Sequence, residues 1–242
     1  MKNARQHVDW KSYAEVYDLM AFHNPAYQEI VNEVSAEVAK WALPEGTTIV
    51  DFGAGTGNFS ILAAKRHPHC RVLHVESNGQ MNDLAHAKGK AQGCNNLVIM
   101  EDDVTTAVDQ GIAVNAAICI HALYTFADPQ AFLNRLFALM DPGAPFILCD
   151  VGRTIDVPSW RRFIFRSMKE KIGVLKSIKI LIRAMPAIKQ NQRIAAMQKS
   201  GEYWLRTETE LTDCLNDTGF QIESVHTAYR GCSDFVLCRK PL

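Results

Sequence analysis

The stretch Ile49-Val50-Asp51-Phe52-Gly53-Ala54-Gly55-Thr56-Gly57-Asn58 constrains the fold more tightly than any other part of the chain. A short apolar run, the length of a buried strand, enters a loop with glycine at alternate positions, and a helical pattern follows at once. Glycine admits positive φ and leaves no Cβ in the way of a ligand. In a doubly wound sheet such a turn lies at the carboxyl edge, where ligands bind. Between residues 47 and 151 short apolar runs keep alternating with helical patterns, the mark of βαβ units around a parallel sheet. Strands are predicted at 47–51, 71–76, 97–100, 114–120 and 144–150. Helices are predicted at 57–66, 78–92 and 129–140, the last stopped by Asp141-Pro142-Gly143.

Upstream, Pro25 opens an amphipathic pattern over 25–41, and Leu43-Pro44-Glu45-Gly46 turns the chain into the sheet. After the fifth strand, Trp160, Ile164, Met168, Ile172, Leu175, Ile178, Ile182 and Met185 recur at three- and four-residue steps. They predict one apolar stripe on a broken helix, interrupted at Gly173 and Pro186, that packs over the carboxyl edge of the sheet. A helix over 209–217, stopped by Gly219, and strand-like runs at 222–229 and 235–239 close the chain as an antiparallel hairpin. The expected organisation is one domain over 1–242: helices at 8–43, a core at 44–154 and 206–242, and a helical insertion at 155–205. A chain of 242 residues can bury a substantial single core.

Formal net charge is zero, yet eleven Lys/Arg and one acid, Glu170, fall between Pro158 and Lys199, so the remainder carries a matching negative surplus. Such a segment fits a solvated face, attraction of an anionic acceptor, or a contact with a membrane surface or nucleic acid. Seven cysteines, an odd number with no C-x-x-C pair, fit reduced and largely buried thiols better than disulfides or a zinc site, so no metal is expected. No apolar run follows the basic residues of Met1 to Tyr13, and no run is long enough to span a bilayer, so the expected location is the cytoplasm.

The glycine spacing narrows the ligand. A dinucleotide fingerprint, G-x-G-x-x-G, would place its third glycine at position 58, where Asn58 stands; here the spacing is G-x-G-x-G after Asp51. A nicotinamide oxidoreductase is therefore disfavoured. Glu76, at the tip of the second strand and about twenty residues beyond the loop, stands where an acid binds ribose hydroxyls. After the third strand, Glu101-Asp102-Asp103-Val104-Thr105 offers an acid to an adenine amino group.

These residues resemble the class I S-adenosylmethionine-dependent methyltransferases. The matching pieces are VDFGAGTGNFS (50–60), HVES (74–77), EDDVT (101–105), ICIHALYTF (118–126) and LMDPGAPFILCD (139–150). The resemblance implies an α/β, Rossmann-like doubly wound sheet, mostly parallel, with an antiparallel C-terminal strand inserted beside the fifth and a helical cap. It implies S-adenosyl-L-methionine as cofactor, with Asp51, Gly53, Ala54, Gly55 and Gly57 bordering its methionine and ribose and Glu76 holding the ribose hydroxyls. Ser77 and Met81 would join them. Asp103 matches the adenine-contacting acid, with Asp102 as the alternative and Val104 flanking the ring. His121 matches a position facing the methionine or the acceptor.

A sulfonium methyl is already activated, so the protein must mainly align the acceptor and exclude water. A base is needed only where the acceptor must lose a proton. His121, Tyr124 and Asp150 are the candidates, with His23 and Tyr27 from the N-terminal segment; Arg153 could pair with Asp150 or with an anionic acceptor. The segment after the fourth strand lacks the Asn/Asp-Pro-Pro-aromatic run that the family uses on nucleic-acid bases, so a nucleic-acid substrate is disfavoured. A small molecule, anionic or hydrophobic and aromatic, is the expected acceptor; a lipid or protein acceptor, or a non-catalytic sensor of the cofactor, are the alternatives.

Overall fold

A computed structural model describes residues 10–242. Seven strands form one sheet: β1 (Thr48–Phe52), β2 (Arg71–Glu76), β3 (Leu97–Glu101), β4 (Ala116–Ile120), β5 (Pro145–Val151), β6 (Gln221–Ala228) and β7 (Ser233–Arg239). Their order is β3-β2-β1-β4-β5-β7-β6, and β7 runs antiparallel to both neighbours. From β1 the chain winds outward through β2 and β3, then returns to the centre to wind the other way through β4. This reversal opens a crevice beyond the carboxyl ends of β1 and β4, and the loops leaving those strands line it.

Central strands are apolar on both faces because helices cover both. Phe52, Leu73, Leu133, Leu136, Phe146 and Phe220 fill the layer under α5 (Val104–Asp109), α6 (Pro129–Leu139) and α10 (Glu208–Thr218). Ile49, Val72, Ile118, Ile147 and Phe235 fill the other, under α2 (Pro25–Val38) and α3 (Asn58–Arg66). Helix α4 (Gly79–Ala91) flanks β2 and β3. The alternation of Ile49 and Val50 between layers is the two-residue period of a strand.

Sequence and structure differ at informative places. The predicted strand at 114–120 starts at Ala116, because the Asn115 side chain accepts the Thr48 N–H at 2.7 Å and Val114 makes only an isolated bridge to Met140. The predicted helix at 25–41 ends at Val38; Asn24, preceding Pro25, caps it by accepting the Ala26 N–H. Ahead of it lies α1 (Trp10–His23).

The largest difference concerns the stripe at 160–185. Three helices carry it, α7 (Val157–Ile172), α8 (Val174–Arg183) and α9 (Met185–Lys199). Trp160, Ile164 and Met168 are buried, as a stripe over the sheet edge requires, but Leu175, Ile178 and Ile182 face outward. Gly173, at φ +81°, breaks the helix and resets its rotation, so a continuous period in sequence becomes two faces in space.

Gly57 exemplifies a glycine fixed by packing. It caps α3 at φ +81°, and a Cβ there would lie 2.8 Å from the Ala85 Cβ on α4. Gly57→Val is expected to lower stability by about 3 kcal/mol, from left-handed strain and overpacking together, which urea denaturation will measure.

Candidate functional site

The crevice beyond β1 and β4 holds a cavity bounded by the four loops that follow β1 to β4. Asp51, Gly53, Ala54, Gly55, Glu76, Ser77, Met81, Asp102, Asp103, Val104 and His121 all line it. Gly57 does not; its role is the α3–α4 contact described above. Gly53, at φ +64°, lets the first loop lie against the loop after β4, since a Cβ there would come within 2.4 Å of the Ala122 Cβ.

Glu76 organises this cavity. Its Oε2 accepts the Gly55 N–H at 3.0 Å and its Oε1 accepts the Asn78 N–H at 2.8 Å, and Ser77 adds hydrogen bonds to the same carboxylate. Burial raises its pKa while those backbone donors pull it back down. Beyond β3 the two acids separate by geometry. Asp102 spends Oδ1 on the Asp103 N–H and Oδ2 on the Gln110 amide, whereas Asp103 caps α5 through Oδ1 alone.

Beneath the floor runs a buried polar chain that the sequence did not announce. Ser60 Oγ lies 2.6 Å from Asp51 Oδ2 and 2.9 Å from His74 Nδ1. His74 Nε2 meets Asn82 Oδ1 at 3.1 Å, and Asn82 Nδ2 donates to the Glu76 carbonyl. That last bond fixes the amide, so His74 must carry its proton on Nε2. Burial pushes the His74 pKa down to about 4, so Nδ1 is bare and must accept the Ser60 hydroxyl. One hydroxyl proton cannot serve both neighbours; the Asp51 contact is then satisfied when Asp51 is protonated. Consistently, burial pushes Asp51 up to about 7 from an ordinary value of 3.8.

A strap runs beside the cavity. Asp18, on α1, accepts the Thr56 hydroxyl at 2.6 Å and the Lys88 ammonium at 2.8 Å, tying the N-terminal helix over the glycine loop. Nothing in the period of that helix marks Asp18.

A second, mainly apolar cavity adjoins the first and shares Tyr17, Tyr27 and His121 with it. Its other walls come from α1, α7 and α9 and include Met20, Trp160, Ile164, Ile188 and Ile194. Gln198, 4% exposed, reaches this cavity with neither its Nε2 nor its Oε1 bonded.

His121 sits at the junction at φ +53°, a conformation that costs a non-glycine residue energy and often marks function. Its Nε2 lies 2.9 Å from the Ser233 hydroxyl, and its ring meets Tyr229 edge-on. Burial pushes its pKa down to about 4, so the imidazole is neutral near pH 7. Tyr124 lines the second cavity and packs edge-on against Tyr203. Tyr27 lines both cavities with its pKa pushed up to about 12 by burial, which unsuits it as a base.

Asp150 and His23 line neither cavity. Asp150 lies in the β5–β7 ladder opposite Asp234, and burial raises its pKa well above the carboxylate range. Arg153 pairs with Asp234 rather than Asp150, its two terminal guanidinium nitrogens, Nη1 and Nη2, engaging that carboxylate. At the opposite edge of the sheet His67, His69 and Cys70 cluster within 4.8 Å, but backbone carbonyls and the Thr47 hydroxyl account for their orientation.

A sheet of this order, with a glycine loop facing an acid at the tip of the second strand, is the fold of the class I S-adenosylmethionine-dependent methyltransferases. The chain belongs to that family: the pattern of its methyltransferase domain matches residues 22–225. It is similar to the carboxy-S-adenosyl-L-methionine synthase of Sodalis glossinidius, 27% identical over 59% of this chain and 60% of the relative. It is also similar to the trans-aconitate 2-methyltransferase of Variovorax paradoxus, 30% identical over 44% and 39%. The chain thus spans three fifths or less of these relatives. Among solved structures, the magnesium protoporphyrin IX methyltransferase of Synechocystis with bound SAH shares the fold, with a TM-score of 0.61 at 16% identity over 96% of this chain and 94% of that one.

The protonation of Asp51 has a measurable sign. The folded protein holds a proton that the unfolded chain releases near 3.8, so this group stabilises fully below that value and loses the contribution as pH rises towards 7. His74 and His121 act oppositely, but both remain in Asp51→Asn. Stability of the parent relative to Asp51→Asn is expected to fall between pH 4 and 7, at most by about 1.4 kcal/mol per pH unit. Urea denaturation at stepped pH checks this; a constant difference would contradict the shared-proton chain.

Proposed function

We propose that the protein transfers the methyl group of S-adenosylmethionine to a small, largely apolar acceptor held in the second cavity. The observation that carries this reading is the shared wall: Tyr17, Tyr27 and His121 border both the polar cleft and the apolar chamber. A sulfonium held in the first cavity beside His121 would present its methyl to the second.

In this reading Glu76 accepts the ribose hydroxyls, and Asp103 Oδ2 accepts the adenine amino group. Met81 and Val104 flank the adenosyl part, while Asp51, Gly53, Ala54 and Gly55 border the methionine part. When bound, the cofactor supplies an activated methyl. The remaining work is alignment at roughly 3 Å and exclusion of water, which the apolar walls favour. Neutral His121 accepts a hydrogen bond from an acceptor hydroxyl and orients it; with a pKa of about 4 it is a poor proton store.

Gln198 sharpens the acceptor class. Leaving an amide buried without partners costs about 1–3 kcal/mol, a cost that a ligand with a donor and an acceptor side by side removes. Lactams, carboxamides and hydroxy-carbonyl aromatics have that arrangement. The helices over the chamber, α7 to α9, act as a cap that selects the acceptor.

Glu76→Ala removes hydrogen bonds to a charged group worth about 1.5–3 kcal/mol each, and Gly55→Val puts a branched side chain at φ +55° beside the cleft. Each is expected to weaken S-adenosylmethionine binding at least roughly tenfold by calorimetry; unchanged affinity in both removes the cofactor assignment. Methyl-labelled cofactor offered with phenols, hydroxyquinolones and hydroxylated carboxamides is expected to label those with an adjacent donor and acceptor. Gln198→Leu should lower that transfer roughly tenfold with cofactor affinity intact. Label appearing only in lipid or protein would overturn the small-acceptor reading.

A further inference from the structure

Helix α8 has three faces, and only one of them is explained by the packing of the protein. Ser177 and Ala184 are buried, with Ile180 and Leu181 packed inward beside α7. Leu181 reaches the apolar chamber. On the outward side stand Val174, Leu175, Ile178 and Ile182, continued by Met185 at the start of α9. Leu175 is 78% exposed and Ile182 66%. These five make up most of the seven large hydrophobic residues exposed among the described residues. Helical spacing sets Lys176, Lys179 and Arg183, all exposed, along the next face.

We infer that this face docks on an anionic lipid bilayer. Charge identifies the occupant. The segment from Pro158 to Lys199 has eleven Lys/Arg against the single acid Glu170, so a surface that approaches α8 gains by being negative. A second copy of the chain would bring the same cations against themselves. The apolar face is equally selective: it is aliphatic, ends in a flexible methionine, and has no polar group among its five residues to fix register against a folded partner. Such a face suits the fluid boundary between headgroups and acyl chains, where an amphipathic helix lies in the plane with its apolar side sunk and its cations at the phosphates. The phosphates lie beside Lys176, Lys179 and Arg183, and the acyl boundary receives Leu175, Ile178 and Ile182. Because Leu181 on the same helix borders the chamber, docking sets one wall of the chamber a helix's width from the membrane surface.

Sedimentation of the full chain with vesicles of phosphatidylcholine, alone or mixed with phosphatidylglycerol, tests this inference without reference to any acceptor. Binding to the mixed vesicles is expected at low salt, at least roughly tenfold stronger than to phosphatidylcholine alone, and weakening as salt is added. Leu175→Asp with Ile182→Asp, and separately Lys176→Glu with Lys179→Glu, should each abolish it, while S-adenosylmethionine affinity stays at the parental value and reports an intact core. A protein that stays in the supernatant with both vesicles overturns the inference. So does vesicle binding indifferent to both variant pairs, or self-association that the Asp pair abolishes, which would assign the face to a second copy.

Discussion

One half-buried carboxylate holds the cleft together. Glu76 joins the turn after β1 to the turn after β2 by accepting one backbone N–H from each, at Gly55 and Asn78. Both donors would otherwise be stranded at the ends of loops, and a stranded donor is costly. The glycine loop can therefore keep its left-handed residues at φ +64° and +55° because an anion from the neighbouring strand satisfies it. The same residue anchors the layer below, where its carbonyl fixes the Asn82 amide and so determines which nitrogen of His74 carries the proton.

Local features made much of this legible. Alternating periods predicted five parallel strands, and the glycine loop with Glu76 predicted the cleft, because strand burial and positive φ leave marks on neighbouring residues. The second cavity left no such mark. Its walls come from α1 and from α7, α8 and α9, which lie far from α1 in sequence, and its most informative polar group, Gln198, is an ordinary glutamine until its surroundings are known. Asp150 shows the opposite case. Its position at a strand end suggested a base, but the antiparallel neighbour β7 encloses it opposite Asp234. That enclosure depends on a pairing made with residues some eighty positions away. The stripe at 160–185 misled in a third way, because periodicity persists across Gly173 although the direction of the helix does not.

Burial also sets the electrical character of the site. His74 and His121 are held neutral, Asp51 shares a proton with its neighbours, and at Glu76 burial raises the pKa while backbone donors oppose the rise. Under the proposed reaction a cation is discharged beside His121, and a neutral imidazole there leaves little in that wall to reorient as the charge disappears.

The segment over the chamber leaves and rejoins the sheet at one point. A Cβ on Gly152, just after β5, would lie 2.4 Å from the Arg206 carbonyl, just before α10. The roughly fifty residues between them are thus a closed excursion whose two feet touch, and loop closure grows only slowly more costly with length. A different excursion with the same footing could replace it and leave the strands undisturbed. Under the proposed function, the part of the molecule that would choose the acceptor is in this sense detachable from the part that would hold the methyl donor, so the two can diversify separately.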